Sequence, residues 1–172
     1  MTEARGLLWR VATQADVSEI FRISKIIHPD LPEREETFAE KIALSPSTSF
    51  VLCSETSIRG YAITYPWRMN DMPPLDKLFK EIPADATVLY LHDVALLPSA
   101  RGLGHVEEVL TIMSAAGRRL GLTEMTLAAV YGSEAAWFRY GFRRSPMCEK
   151  LQSQAAGYGA AIYMTRPFSP AE

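Results

Sequence analysis

The sequence predicts a mixed α/β fold, with one central sheet of six to seven strands flanked by about four helices. Short runs rich in β-branched and aromatic residues dominate the early and late parts of the chain, and amphipathic helical patterns lie between them. Turn residues separate these segments. The 172 residues are enough for one well-buried core and few for two, so a single domain over residues 1–172 is expected.

The composition is that of an ordinary globular protein, with 48% hydrophobic residues and a net charge of −2. No basic surplus points to nucleic acid as a partner. No apolar run approaches the roughly 20 residues of a membrane helix. The amino terminus lacks the basic-then-apolar order of a secretion signal, so we expect no membrane partner and a cytoplasmic protein.

The first third of the chain alternates strand and helix patterns. Residues 7–12 predict a strand, and Thr13 with Asp16 resembles a capping box before an amphipathic helix that starts at Val17. Two prolines in residues 28–32 end this helix, and a second helix is expected over residues 33–44.

A predicted hairpin and a long connection follow. The strand-like runs 49–54 and 58–65 are joined by three residues, which predicts antiparallel neighbours. Residues 66–86 contain four prolines and several large apolar residues, with a single helical turn expected at 75–79. Connections of this length are often functional.

The central stretch is an apolar strand, a glycine turn and a helix. Residues 88–97 carry apolar side chains at both parities, as in a strand buried on both faces. Pro98 ends the strand, and apolar residues from Val106 to Leu120 recur at helical spacing. Residues 124–130 predict a fifth strand, Ser133 begins a fourth helix, and strands are expected at 142–144 and 158–167.

The glycine turn suits an anion, because the unpaired amides of a helix's first turn point at whatever lies before them. By glycine spacing alone, a plain strand-to-helix connection is the more common explanation. Two known phosphate loops are excluded: no lysine follows Gly104, and the third small residue of the dinucleotide fingerprint would be Glu107.

The segment from Leu96 to Gly104 instead resembles the loop of the GCN5-related N-acetyltransferase (GNAT) superfamily, in which an apolar strand and a proline precede Arg-x-x-Gly-x-Gly or a close variant. Here the arginine is Arg101, the first motif glycine is Gly104 and the final small residue of the motif is replaced by Val106, while Gly102 is an additional glycine in the loop. Residues 135–142 resemble that family's late helix ending in Gly-Phe. The resemblance covers nearly the whole chain and implies a GNAT-like fold.

The resemblance implies acetyl-CoA as cosubstrate. Its pyrophosphate would lie on the loop, and its pantetheine arm would lie in a gap where the fourth and fifth strands splay apart, with the thioester near Val94 to Leu96. The implied cofactor-binding residues are Val94, Ala95, Leu96, Leu97, Arg101, Gly102, Leu103, Gly104, His105, Val106, Ser133 and Trp137. Val106 replaces a family glycine or alanine and is expected to turn inward, while Glu107 and Glu108 are expected to face solvent.

Catalytic candidates come from the fourth strand, where relatives resembling arylalkylamine acetyltransferases carry two histidines. The matching positions are His92 and Tyr90. Histidine suits a base near neutral pH, although a hydrogen-bonded core histidine is an equal alternative. Asp93 directly follows His92 in the strand, so its side chain is expected on the opposite face of the sheet, where it would hold a loop or the surroundings of His92 in place. Trp137 stands where relatives carry a tyrosine acid, so water is an alternative proton source for the leaving thiolate.

The implied activity is transfer of an acetyl group to a primary amine by direct attack in a ternary complex. The acceptor is either a small amine or a protein amino group, flanked by residues 27–36 and 66–86. Relatives often form homodimers, and no metal is implied. A different class is kept open by Trp137 and Val106: a CoA-binding sensor or partner subunit that has lost catalysis.

Overall fold

The computed structural model describes residues 6–169, which form a seven-stranded sheet in the order β1-β2-β3-β4-β5-β7-β6. The strands are β1 Leu8–Val11, β2 Phe50–Cys53, β3 Ile58–Trp67, β4 Val88–Leu96, β5 Glu124–Ala129, β6 Arg143–Arg144 and β7 Ile162–Pro167. Among the described strands, β4 and β5 pair in parallel and the other neighbours pair antiparallel. The predicted mixed α/β fold is confirmed.

Five helices cover the two faces of this sheet: α1 Val17–Ile27, α2 Glu35–Leu44, α3 His105–Arg119, α4 Glu134–Arg139 and α5 Glu149–Ala155. Helices α1, α2 and α5 bury apolar residues in one core cluster with Tyr61 and Tyr65. Helix α3 packs on the opposite face with Leu89 and Leu91. Because helices cover both faces, the side chains on both faces of the first half of β4 are buried, as its apolar run predicted.

The end of β3 differs from the prediction. Pro66 and Trp67 belong to the strand and pair with Leu89 and Val88, although they were expected in the connection. Strand β2 pairs with β3 only from Ile58 to Ala62, so the far end of β3 has a free edge on that side. A proline is tolerated on such an edge because no ladder partner needs its missing N–H.

Four other local features differ from the predictions. Residues 75–79 form a turn without helix, and the last strand begins at Ile162, because Tyr158 lies in a short 3₁₀ turn. Helix α5 was missed, since seven residues carry too little periodicity to be recognised. The second helix begins two residues later than predicted, which leaves Glu33 free to point elsewhere.

A bulge in the pairing of β3 with β4 shapes the middle of the sheet. Ile63 pairs with Asp93 and Thr64 pairs with Leu91, so His92 is the extra residue of β4. An inserted residue interrupts the alternation of side chains along a strand. Consequently His92 and Asp93 both line a cavity on the face covered by α1, and the expectation that Asp93 has the opposite parity was wrong.

Candidate active site

A cleft opens where β4 and β5 separate. The two strands pair only at Leu89 with Met125 and at Tyr90 with Thr126 within the described residues. Beyond these pairs the cleft has a volume of about 240 Å³. It is lined by Ile27, Val94, Ala95, Leu96, Arg101, Val106, Ser133, Ala136, Trp137 and Tyr140. Many of the residues that the sequence assigns to the cofactor therefore lie around one cleft.

The main chain of β4 presents polar groups to this cleft. The amide of Leu97 donates to the carbonyl of Arg59 on the β3 side, at an N···O distance of 2.9 Å. Because ladder bonds alternate, the amides of Leu96 and Val94 point the opposite way, toward the cleft. The Leu96 carbonyl already accepts a bond from Arg101 Nε. The Leu97 carbonyl accepts from Ala100, so both polar groups of Leu97 are used within the protein.

The loop before α3 carries a set of free amides. Gly102 and Gly104 adopt φ angles of 74° and 83°, which other residues rarely adopt, and a Cβ on either would meet nothing within 4 Å. The amides of residues 102–107 donate to no acceptor among residues 6–169. With the positive end of the α3 dipole behind them, these amides can bind an anion. The loop thus fits a diphosphate.

The first turn of α3 keeps its acidic side chains away from this surface. Glu107 and Glu108 are exposed, as expected, and Glu108 contacts Nδ1 of His105 at 2.8 Å. The His105 ring is buried, and its carbonyl accepts a bond from Trp9. Val106 is half-buried and packs against two core clusters, so its side chain does turn inward. His105 and Val106 can therefore offer only their amides.

Helix α4 forms the opposite wall of the cleft. Trp137 packs edge-on against Phe142, and Tyr140 lies beside it with ring centroids 6.0 Å apart. Ser133 is the N-cap residue but makes no capping bond with its side chain. Tyr140 both packs in the core and lines the cleft. It brings a hydroxyl to the side where Trp137 offers none.

A second, smaller cavity of about 40 Å³ is lined by His28 and Asp93, which directly follow Ile27 and precede Val94 of the cleft lining. Its lining includes two carboxylates, two imidazoles and the hydroxyls of a serine and a tyrosine. The lining residues are Ser24, His28, Leu31, Glu33, Phe38, Leu75, His92, Asp93, Ala128, Val130 and Tyr158. We call this space the acceptor pocket.

His92 lies in the wall of the acceptor pocket with both ring nitrogens engaged. Nε2 contacts Glu33 Oε1 at 2.6 Å, and Nδ1 contacts the hydroxyl of Tyr65 at 3.2 Å. The side chain is only 1% exposed. Glu33 also lies 3.6 Å from the ammonium of Lys41, whose side chain is fully buried. The His92 ring is therefore fixed in orientation by its neighbours.

Glu33 and Lys41 form a buried pair in this network. Burial opposes the charged carboxylate, but the charge and hydrogen bond of His92, with the charge of Lys41, lower the pKa of Glu33 to about 2. Burial also lowers the pKa of Lys41, against the attraction of Glu33. Glu33 is thus an anion throughout the neutral range. The sequence contained no local signal for this pairing, since Glu33 and His92 are 59 residues apart.

Asp93 joins His28 to Tyr61. It accepts a bond from the Tyr61 hydroxyl and contacts His28 Nε2 at 2.8 Å. Burial disfavours the charged imidazole, but the hydrogen bond and charge of Asp93 outweigh it and raise the pKa of His28. Within residues 6–169 the buried Nδ1 of His28 has no hydrogen-bond partner, and the ring of Tyr131 stacks on the imidazole at a centroid distance of 6.0 Å. Sequence reasoning did not single out His28.

Tyr90, the other catalytic candidate, packs inside the core. It is 1% exposed, and its hydroxyl contacts that of Tyr158 at 3.4 Å. Burial raises the pKa of Tyr90 well above its ordinary value. The Tyr158 hydroxyl in turn donates to the carbonyl of Pro73. Tyr90 therefore supports the pocket from behind Tyr158.

Within residues 6–169, no group of three or more His, Cys, Asp or Glu side chains is arranged to hold a metal ion. No helix in the same part of the chain is long and apolar enough to cross a membrane.

The sheet that splays beside a loop of free amides defines a class of CoA-binding acyltransferase folds. The sequence model of the acetyltransferase (GNAT) family matches residues 15–142, and the chain belongs to this family. A comparison with curated proteins found no match. The family and the GNAT-like fold predicted from the loop motif are confirmed.

Solved structures show the same fold at low sequence identity. The loading GNATL domain of CurA from Lyngbya majuscula has a TM-score of 0.76 at 11% identity, over 94% of this chain and 98% of that one. The GphF GNAT-like decarboxylase, in complex with isobutyryl-CoA, has a TM-score of 0.75 at 14% identity, over 94% of this chain and 100% of that one. The ribosomal-protein-S18-alanine N-acetyltransferase from Escherichia coli has a TM-score of 0.67 at 19% identity, over 96% of each chain.

Proposed function

We propose that this protein is an acetyl-CoA-dependent N-acetyltransferase that transfers the acetyl group to a primary amine. The observation that carries the proposal is that consecutive residues line the cleft and the acceptor pocket: Val94 and Asp93 on β4, and Ile27 and His28 at the end of α1. Main-chain donors line the cleft, and acid–base side chains line the acceptor pocket. A thioester in the cleft would have its carbonyl within reach of an amine in the pocket.

The protein would hold the cosubstrate mainly through its backbone. The free amides of residues 102–107 are suited to the diphosphate. The amides of Val94 and Leu96 can bond to the pantetheine arm or polarise the thioester carbonyl. A donor aimed at the developing oxyanion stabilises the transition state of amine attack. Side chains at these positions then matter less than the path of the strand.

Balanced transfer requires two protons to move. The acceptor ammonium loses one proton to a base, the neutral nitrogen attacks the carbonyl carbon, and the carbon–sulfur bond breaks. The second nitrogen proton ends on the CoA thiolate, directly or through water. Tyr140 can donate it, but the thiol pKa, close to the 8.5 of cysteine, also allows departure with water as the proton source.

A CoA-binding module without catalysis remains the alternative, and two observations favour it. Trp137 replaces the tyrosine of active relatives, and both ring nitrogens of His92 are engaged within the protein. Under this alternative, the cosubstrate binds but no amine is acetylated.

Two measurements test the proposal. Thermal unfolding with increasing acetyl-CoA or CoA should show a rise in Tm that grows with ligand concentration. Release of free thiol should then depend on added amine, with the acetylated product identified by mass. Acetyl-CoA should be compared with isobutyryl-CoA as the acyl donor. A Tm rise without amine-dependent thiol release would favour the binding module, and no Tm rise would contradict both.

A further inference from the structure

The acceptor pocket shares part of its wall with a cavity at the surface beside α1. This cavity, of about 200 Å³, shares Ser24, His28, Leu31 and Glu33 with the acceptor pocket. Its outer wall is formed by Lys25, Pro29 and Pro32. A molecule entering there would pass His28 before it reached Asp93 and His92. We call this passage the acceptor channel.

The roof of the acceptor pocket is fastened on both sides. On one side, two carboxylates accept hydrogen bonds from backbone amides of the connection 68–87. Glu33 accepts a hydrogen bond from the amide of Asp76, and Glu40 of α2 accepts hydrogen bonds from the amides of Phe79 and Lys80. On the other side, Gln154 of α5 accepts the amide of Met72.

Leu75 and Tyr158 close the pocket below this roof. The inner space has a volume of about 40 Å³. This small volume suits the end of a small amine.

The His28–Asp93 pair lines the acceptor pocket, and the residues next to it in sequence, Ile27 and Val94, line the cleft. Unlike His92, His28 has one ring nitrogen, the buried Nδ1, with no hydrogen-bond partner among residues 6–169. Its side chain is 21% exposed, compared with 1% for His92. Asp93 holds the other ring nitrogen and would stabilise the imidazolium formed on protonation. The Tyr61 hydroxyl fixes the second oxygen of Asp93.

We propose that the acceptor is a small primary amine that enters through the acceptor channel and gives its proton to the His28–Asp93 pair. This inference rests on the proposed acetyltransferase function. The ammonium proton moves to the pair, converting neutral imidazole beside carboxylate into imidazolium beside carboxylate. The freed nitrogen lone pair then attacks the thioester carbon. The imidazolium loses this proton to water after the product has left the pocket. His92, with both nitrogens occupied, positions Glu33 and the pocket wall.

The first experiment blocks the channel. Butylamine, putrescine, histamine and phenethylamine are compared as acceptors with a ten-residue peptide that carries a free amino terminus. Leu31→Trp should lower kcat/KM for reactive amines at least about tenfold, whereas Leu120→Trp, at an exposed site at the end of α3, should not. The Tm rise with acetyl-CoA should be unchanged in both variants.

The second experiment follows the pH dependence of kcat, which reports groups in the bound complex. Groups facing His28 are Asp93, Glu33, Tyr131 and His92, with Lys25 at the channel mouth. The raised pKa of His28 predicts that kcat falls as pH drops through a value above the ordinary 6.5.

This fall in kcat at low pH is the acid limb of the pH profile. Asp93→Asn should shift the acid limb to lower pH, because the imidazolium loses its anionic partner. His28→Gln should remove the limb and lower kcat about 100-fold. A purely structural role for either residue would lower kcat without moving the limb.

The outcomes separate this inference from the proposed function. Acetylation of the peptide alone would keep the acetyltransferase and overturn the small-amine channel. An unchanged acid limb in His28→Gln, or full activity in Leu31→Trp, would also overturn the inference. Cosubstrate binding without transfer to any amine or peptide would overturn both proposals.

Discussion

The two halves of the candidate site are built from different parts of the chain. The cosubstrate half consists mostly of main-chain groups from one continuous stretch, residues 94–107. The acceptor half consists of side chains from distant segments: His28 meets Asp93 across 65 residues, and Tyr61 meets Asp93 across 32. The first half depends on strand path and glycine angles, and the second on tertiary packing.

This difference has a consequence for mutation. In the acceptor half, a single side chain can leave a buried charge without its partner, which is costly. In the cosubstrate half, most side chains can change, and only substitutions that move the backbone should matter. The predictions below test this contrast from the largest expected effect to the smallest.

Removal of Glu33 should have the largest effect. Glu33→Ala leaves the fully buried Lys41 without its carboxylate and should lower the free energy of unfolding by about 3–5 kcal/mol. Urea unfolding measures this change. Glu36→Ala, which breaks an exposed pair with Arg34, is the matched control and should cost about 1 kcal/mol or less. Equal losses in both variants would contradict the burial of the Glu33 network.

The backbone approach of β3 to β4 should be the next most sensitive feature. A Cβ on Gly60 would lie 2.8 Å from the Ala95 carbonyl oxygen and 2.4 Å from a methyl of Leu96. Gly60→Ala should therefore cost about 1–3 kcal/mol of unfolding free energy and reduce the Tm rise with acetyl-CoA. Gly157→Ala, where a Cβ meets nothing, is the control. Normal stability of Gly60→Ala would show that β4 shifts freely.

The loop should lose affinity without a large loss of stability. Gly104→Ala strains a residue with φ of 83°, and Gly121→Ala strains a remote residue with φ of 74° to a similar degree. The dissociation constant for CoA, measured by calorimetry, should rise about tenfold in the first variant, equivalent to about 1.4 kcal/mol. It should stay constant in the second. A similar change in both would indicate general strain rather than loss of aligned amides.

Substitution of Tyr140 should have the smallest effect. Tyr140→Phe removes the cleft hydroxyl but keeps its packing against Trp137. Because a thiolate with a pKa near 8.5 can leave without an acid, kcat should fall less than about threefold. Steady-state kinetics with a reactive amine measures this, with the Tm rise by acetyl-CoA as a control for binding. A fall of 100-fold would assign the leaving-group acid to Tyr140.

Much of the fold was predictable because its signals are local. Apolar runs, the hairpin link at residues 55–57 and the glycine turn before α3 each act within a few residues. The errors occurred where an element depends on a partner. Pro66 and Trp67 join β3 through pairing with β4, and α5 is stabilised by burying Leu151 and Ala155 in the core. Neither cause is visible in the local pattern.

The sequence by itself determined the family, the strand–loop–helix unit and the free amides of the loop, since glycine torsions and helix starts are local properties. The tertiary structure decided which side chains face the acceptor. The one-residue bulge at His92 turned Asp93 toward His28, and the late start of α2 allowed Glu33 to reach His92 and Lys41. Register and side-chain pairing between distant segments depend on how the whole sheet packs, so only the folded chain specifies them.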